Sequence, residues 1–343
     1  MSKKSYREAV KEALAQEMER DPKVVLLGED IGGGTGAPGE SDAWGGPLGV
    51  TRGLQSQFGK DRVIDTPISE SAFIGAAAGA AATGLRPVVD LMFVDFLGVC
   101  FDQIFNQAAK FRYMFGGKAR TPMVIRTMYG AGLRAASQHS QCLYSIFTHI
   151  PGLKVVIPSS PYEAKGLFIE AIRDDDPVIF FENKLMYDNE EEVPDESYTI
   201  PFGEANLTRE GEDVAIVAIG RMVQLANQVA DNLEKDDISC TVLDPRTLSP
   251  LDDDSIIEAV EQTGRVVIVD ESNPRCSAGT DIAALIVQNA FEALKAPVKI
   301  VSAPHTPVPF SPALEDEYVP DGEKIEAAVR QVLEYARPEP ALR

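Results

Sequence analysis

Tyr6, Ala9, Val10, Ala13, Leu14 and Met18 recur at helical spacing among charged residues, which predicts an amphipathic helix with one face to a core. Asp21-Pro22 ends it. Val24-Val25-Leu26-Leu27 follows with no polar break, the pattern of a short strand buried on both faces of a parallel sheet. Similar apolar runs predict strands at 63–64, 86–93, 122–126, 155–157 and 178–181, with helices at 54–58, 101–111 and 160–172 between them. From 188 to 201 the apolar period is lost, and Asp188-Asn189-Glu190-Glu191-Glu192-Val193-Pro194 reads as an acidic linker. The alternation then restarts, with strands at 214–218, 239–243, 266–269 and 298–301 and helices at 222–233, 254–262, 280–294 and 323–335. The expected fold is α/β, in two parallel-sheet-based domains, 1–187 and 204–343, joined by an acidic linker over 188–203.

Composition narrows the partners. The chain has 343 residues, 44% of them hydrophobic and 25% charged, as in an ordinary globular protein, and a net charge of -21. So acidic a chain does not suit nucleic acid, whose phosphates need Lys and Arg, but permits a basic protein partner. Cys100, Cys142, Cys240 and Cys276 form no CxxC pair, so reduced thiols and a cytoplasmic setting are expected. A polar N-terminus running straight into a helix pattern is unlike a signal peptide. The longest apolar stretch, 73–85, is shorter than the ~20 residues that span a bilayer, so no membrane partner is expected.

Candidate chemistry concentrates after the second strand. Val63-Ile64 runs into Asp65-Thr66-Pro67-Ile68-Ser69-Glu70 and then a segment of Ala and Gly from Ser71 to Ala82. That order reads as strand end, turn, acid, helix. Glu70 falls in the first helical turn, where the dipole favours a negative charge. A helix with so little side-chain bulk packs close to its neighbours, and a carboxylate at its mouth is then poorly solvated and able to exchange a proton. Glu29 stands at the carboxyl end of the 24–27 strand, where α/β sheets carry ligands. Gly34 to Gly39 spells a formal GxGxxG, but Pro38 and the polar run to Pro47 continue as loop, whereas a dinucleotide fingerprint must open a helix.

The Asp-Thr-Pro-Ile-Ser-Glu run with its small-residue helix resembles the β subunit of the thiamine-diphosphate-dependent E1 component of 2-oxo acid dehydrogenase complexes. The resemblance extends over nearly the whole chain and implies a transketolase-like pyrimidine-binding domain followed by a transketolase-like C-terminal domain. It implies that Glu70 hydrogen-bonds the cofactor's aminopyrimidine and drives the tautomerisation that makes the thiazolium ylid. Phe96, in Val94-Asp95-Phe96, would pack on the pyrimidine, and Glu29 would join the cofactor site. His139, in Gln138-His139-Ser140-Gln141, would serve the substrate or incoming lipoyl group. Asp102 matches an acid on a polar passage between paired active sites; it reads equally as a first-turn Asp complementing its helix dipole. Met123, Ala171, Ile172, Asp174 and Asp176 match a turn that holds a monovalent cation such as K+ through main-chain carbonyls. His149 and His305 are read as structural and surface residues.

No Gly-Asp-Gly occurs in the chain, so the resemblance implies that Mg2+ and the diphosphate are held by an E1 α subunit in an α2β2 heterotetramer. The acetyl-level fragment would pass to lipoamide on an E2 acyltransferase. The glycine-rich loop, Trp44 and the 111–117 segment are similar to acetoin dehydrogenase β subunits, so acetoin is the expected substrate. Pyruvate and branched-chain 2-oxo acids are the alternatives, and a non-catalytic assembly subunit is the alternative of another class.

Overall fold

The computed structural model describes residues 1–32 and 45–335, in two compact units, Met1–Phe202 and Gly203–Arg343. The glycine-rich run from Gly33 and Trp44 lie outside the described residues.

Within the first unit, β1 (Ser2–Ser5) leads to α1 (Tyr6–Arg20), whose start is fixed by a capping box between Ser5 and Glu8. Then come β2 (Val24–Gly28), α2 (Leu54–Phe58), β3 (Val63–Asp65), α3 (Glu70–Ala82) and β4 (Arg86–Phe93). The unit is completed by α4 (Leu97–Asp102), α5 (Phe111–Met114), β5 (Val124–Tyr129), α6 (Tyr144–Thr148), β6 (Lys154–Val156), α7 (Pro161–Arg173), β7 (Val178–Asn183) and β8 (Glu190–Val193). Six strands pair in parallel in the order β6-β7-β5-β4-β2-β3. Every residue of β2, β5 and β7 is buried, as strands covered on both faces must be. α1 lies against α7, and Leu14, Met18, Leu167 and Phe168 join the core.

The strand order places the site. β2 lies between β3 and β4, so the chain leaves β2 to one side and, after α3, returns on the other. Such a reversal opens a crevice at the carboxyl ends of the strands. Glu29 follows β2, the turn to Glu70 follows β3, and Phe96 follows β4.

Two expectations need correction. The stretch expected as a linker is not free chain: β8 pairs antiparallel with β1, from Ser2 opposite Val193 to Ser5 opposite Glu190. Its charge has a structural use, because the Glu191 carboxylate accepts hydrogen bonds from Ser160 Oγ (2.6 Å) and the Tyr162 amide at the start of α7. The fully buried Lys165 ammonium donates to Glu12 (2.8 Å) and to the Pro194 carbonyl (2.6 Å). The expected single helix over 101–111 is instead α4, a π-helical turn at Gln103–Ala108, and the short α5. Asp102 therefore ends the α-helical segment rather than beginning one, and a first-turn dipole role does not apply to it.

The second unit has β9 (Asn206–Arg209), β10 (Val214–Ala218), α8 (Met222–Leu233), β11 (Cys240–Asp244), β12 (Thr247–Ser249), α9 (Asp253–Thr263) and β13 (Val266–Asp270). These are followed by α10 (Ala278–Asn289), β14 (Lys299–Ser302), α11 (Pro312–Tyr318) and α12 (Gly322–Leu333). A five-stranded sheet runs β14-β13-β10-β11-β9, parallel except for β9 at its edge. α8 and α12 bury Ala226, Val229, Ile325 and Val329 against it.

Candidate functional site

The crevice at the end of β2 is lined by acid on one side. Glu29 and Glu70 are 6% and 8% exposed, low values for carboxylates. Glu70 opens α3, which packs close because Ala77, Ala78 and Ala81 are its buried residues beside Phe73 and Ile74. The Glu29 carboxylate accepts a hydrogen bond from the Ser69 amide at 3.3 Å, which ties the end of β2 to the mouth of α3. Burial pushes the Glu29 carboxyl above its usual range, and the neighbouring Glu70 charge pushes it further, with the Ser69 amide opposing both. Glu29 therefore holds a proton more readily than an exposed carboxylate does. Cys100 lies near enough to be affected as well: burial, then the Glu70 charge, pushes its thiol up to about 12.

An aromatic wall stands beyond β4. Phe93, Phe96 and His139 meet edge to face, with centroids 5.7 Å apart for Phe93–Phe96, 5.0 Å for Phe93–His139 and 5.6 Å for Phe96–His139. A backbone irregularity aims it. The register of β4 with β5 shifts between Asp90 and Phe93, and Met92 takes a positive φ of 53°. Asp90 supports that turn by accepting from the Met92 amide at 2.9 Å. Its other oxygen pairs with the buried Arg126 guanidinium, which also grips Glu182 at 2.7 and 2.9 Å. Burial acts to lower the Arg126 pKa, but Asp90 and Glu182 outweigh it and leave the group raised well above its usual value.

His139 ends the short turn Ser137–His139 and is half-buried. The turn is held at Gln141, whose amide and Nε2 donate to Asp95 Oδ1 at 3.2 and 2.9 Å. Asp95 Oδ2, Thr66 Oγ1 and Ser140 Oγ are buried without a hydrogen-bond partner, although such groups are almost always satisfied in a finished environment. A cluster of edge-to-face rings, paired acids and unsatisfied polar atoms suits the heteroaromatic end of the implied cofactor, so the residues present fit it.

The remaining expected residues lie elsewhere in the unit. Asp102 is exposed and accepts from Asn106 Nδ2 at 2.6 Å. Ala171 and Ile172 are in the last turn of α7, where carbonyls lack intrahelical donors and the dipole favours a cation. Arg86 Nε donates to the Ile172 carbonyl at 2.8 Å, and the Met123 carbonyl accepts the Val178 amide at 3.0 Å. Each carbonyl keeps a second lone pair. Asp174 and Asp176 carry their carboxylates to Lys154 and Arg112. Arg86 Nη2 also donates to the Asp174 carbonyl, so one guanidinium already sits on two carbonyls of this turn. Among the described residues no three His, Cys, Asp or Glu side chains converge as a metal site.

Sequence reasoning missed Phe93, the Asp90–Arg126–Glu182 network and Lys184. Lys184 Nζ lies 5.4 Å from the Phe93 centroid and donates to the His139 carbonyl. The available signal was position: Lys184 directly follows the carboxyl end of a strand that is buried throughout.

Comparison with known proteins agrees with this architecture. Residues 2–189 match the family described as transketolase, pyrimidine binding domain, and residues 203–325 match transketolase, C-terminal domain. The chain is 62% identical to the β subunit of acetoin:2,6-dichlorophenolindophenol oxidoreductase of Cupriavidus necator, over 96% of this chain and 98% of that one. It is 55% identical to the subunit of the same description from Bacillus subtilis, over 96% and 97%. A solved structure described as a split-gene transketolase, an inactive β4 tetramer, superposes with a TM-score of 0.75 at 22% identity, covering 96% of this chain and 98% of that one; it shares the fold.

Proposed function

We infer the function from the premise that the chain belongs to the E1 β-subunit family of thiamine-diphosphate-dependent dehydrogenases, built from transketolase-type pyrimidine-binding and C-terminal domains. The protein is the β subunit of an acetoin dehydrogenase E1, active with an α subunit that completes the cofactor site and holds Mg2+. The observation that supports this reading is the strand order: β2 between β3 and β4 sets the chain ends that carry Glu29, Glu70 and Phe96 side by side at the switch point of the sheet, with Phe93 and His139 packed on Phe96. The choice of acetoin is supported by the 62% identity with the Cupriavidus subunit.

Thiamine diphosphate, when bound, supplies a carbon nucleophile able to open the C–C bond beside the acetoin carbonyl. The chain's own residues prepare that chemistry. Glu70 holds and moves a proton at its carboxyl oxygen, and Glu29, tied to the Ser69 amide, fixes the turn that presents it. Phe96 and Phe93 would hold the pyrimidine and exclude water from it. His139 orients the substrate and, later, the lipoamide of an E2 acyltransferase that takes up the acetyl-level fragment. Asp102 belongs to a polar passage at a subunit boundary. The carbonyls at Met123, Ala171, Ile172, Asp174 and Asp176 bind a monovalent cation that stiffens the α7 turn. No helix among the described residues is long and apolar enough to cross a membrane, and Cys100, Cys142, Cys240 and Cys276 are free, which supports a cytoplasmic setting.

Lipoamide-linked turnover of the assembled enzyme on acetoin, pyruvate and 2-oxoisovalerate tests the substrate; preference for either 2-oxo acid would overturn acetoin. Titration of thiamine diphosphate and Mg2+ into this chain, with and without the α subunit, tests the shared site. Tight binding by the β chain alone would overturn it.

A further inference from the structure

Residues 130–140 form a surface loop whose ends are closed by the Gly130 amide donating to the Gln141 carbonyl at 3.1 Å. This loop carries His139, and its backbone is strained. Arg134 and Ala136 have φ of 59° and 63°, values that residues bearing a Cβ avoid. Strain of this kind persists only where the surroundings over-determine the conformation. Two charged side chains do so here. Asp95 holds the far end through the Gln141 amide and Nε2. Lys184, only 4% exposed, donates its ammonium to the His139 carbonyl and lies over the Phe93 ring, which itself touches the His139 ring. The Lys184 amide is tied in turn to the Tyr129 carbonyl at 3.2 Å, so the brace stands on β5 as well as β7. Leu185 closes the contact: a Cβ on Gly132, at φ 102°, would meet its Cδ1 at 2.5 Å.

We propose that Lys184 is a positioning residue, whose buried ammonium fixes the His139 turn and sets the His139 ring against Phe93 and Phe96 on the substrate side of the crevice. The proposal rests on the reading of His139 as the substrate-side group. A buried cation placed on a carbonyl and a ring face makes strong, directional contacts there, and Lys184 holds the backbone of the histidine rather than the substrate. Lys184 thus acts through His139.

The test uses the assembled enzyme carrying Lys184→Met, which keeps the stem over Phe93 and removes the donor, beside Lys184→Arg, which keeps the charge. Hydrogen exchange of 130–141 should quicken at least about tenfold in Lys184→Met, as expected on losing a charge-assisted hydrogen bond. Exchange of Val214–Ala218 in the other unit should not change. Acetoin kcat should fall by about 10- to 100-fold, the scale of a small misplacement in a reacting site, and Lys184→Arg should recover most of it. Should Lys184→Met not fold, Lys184→Gln is read by the same measures. Exchange and kcat within twofold of the parent would overturn the proposal, as would faster exchange spread equally through both units. A loosened 130–141 loop in an enzyme inactive on acetoin even in its parent form would sink the functional reading and leave the brace standing.

Discussion

Replacing Arg126 by Met tests whether the buried charge network beneath the site holds it in place. The guanidinium is 5% exposed, and its partners Asp90 and Glu182 are 3% and 0% exposed. One cation therefore serves two carboxylates that water does not reach. Arg126→Met keeps the length of the stem and leaves both acids without their counter-charge. Removing one partner of a buried ion pair costs about 3–5 kcal/mol. Tyr187 still donates to Glu182 at 2.9 Å and the Met92 amide still donates to Asp90, which argues for the lower half of that range. For a unit of this size, each kcal/mol moves the midpoint by about 2–4 °C, so the first unit should melt roughly 6–16 °C lower. Circular-dichroism melts of parent and variant at about pH 7.5, with Asp90→Asn/Arg126→Met/Glu182→Gln as the neutral control, measure it. A midpoint within about 2 °C of the parent would refute the argument.

Glu70→Gln should keep the fold and lower acetoin turnover of the assembled enzyme by about 10²–10⁴, the range for a positioned acid–base group; near-normal turnover would remove Glu70 from that role. Glu29→Gln should raise the midpoint of the cofactor-free chain at pH 7 and leave it little changed at pH 4. The folded pKa of Glu29 is raised, so its ionised form weighs on the fold above the unfolded carboxylate range, and melts at the two pH values check the sign. Iodoacetamide at pH 8 should label the exposed Cys276 first, while Cys100 and Cys240, pushed by burial to about 12 and about 11, stay unmodified until the chain unfolds; peptide mass spectrometry reads the order.

Much of this molecule could be read from residue order. Runs such as Val24–Gly28 and Val214–Ala218 admit little but buried parallel strands, because unbroken apolar stretches of that length have nowhere else to go. A carboxylate between a proline turn and an Ala/Gly helix announces itself for a similar local reason: the helix start and its lack of bulk are written in adjacent residues. Other elements were silent. β9 carries one apolar residue in Asn-Leu-Thr-Arg, since an exposed edge strand needs no apolar period. β8 looked like linker because three glutamates hide a strand whose partner, β1, lies far away in sequence. The π-helical turn after Asp102 has no compositional mark.

Composition and local pattern thus determined the α/β class, the two halves and Glu29 and Glu70 as candidates, while Phe96 and His139 became candidates through the family resemblance of their motifs. Only the tertiary structure decided that β2 lies between β3 and β4, which sets the strand ends before Glu29, Glu70 and Phe96 side by side. It alone revealed that Asp90, Arg126, Glu182 and Lys184 stand behind them. The physical reason is range. Helix starts and buried strands follow from neighbours within a few residues, whereas a buried charge finds its partner across strands, at separations of 36 to 56 residues for Arg126, where sequence spacing carries no signal.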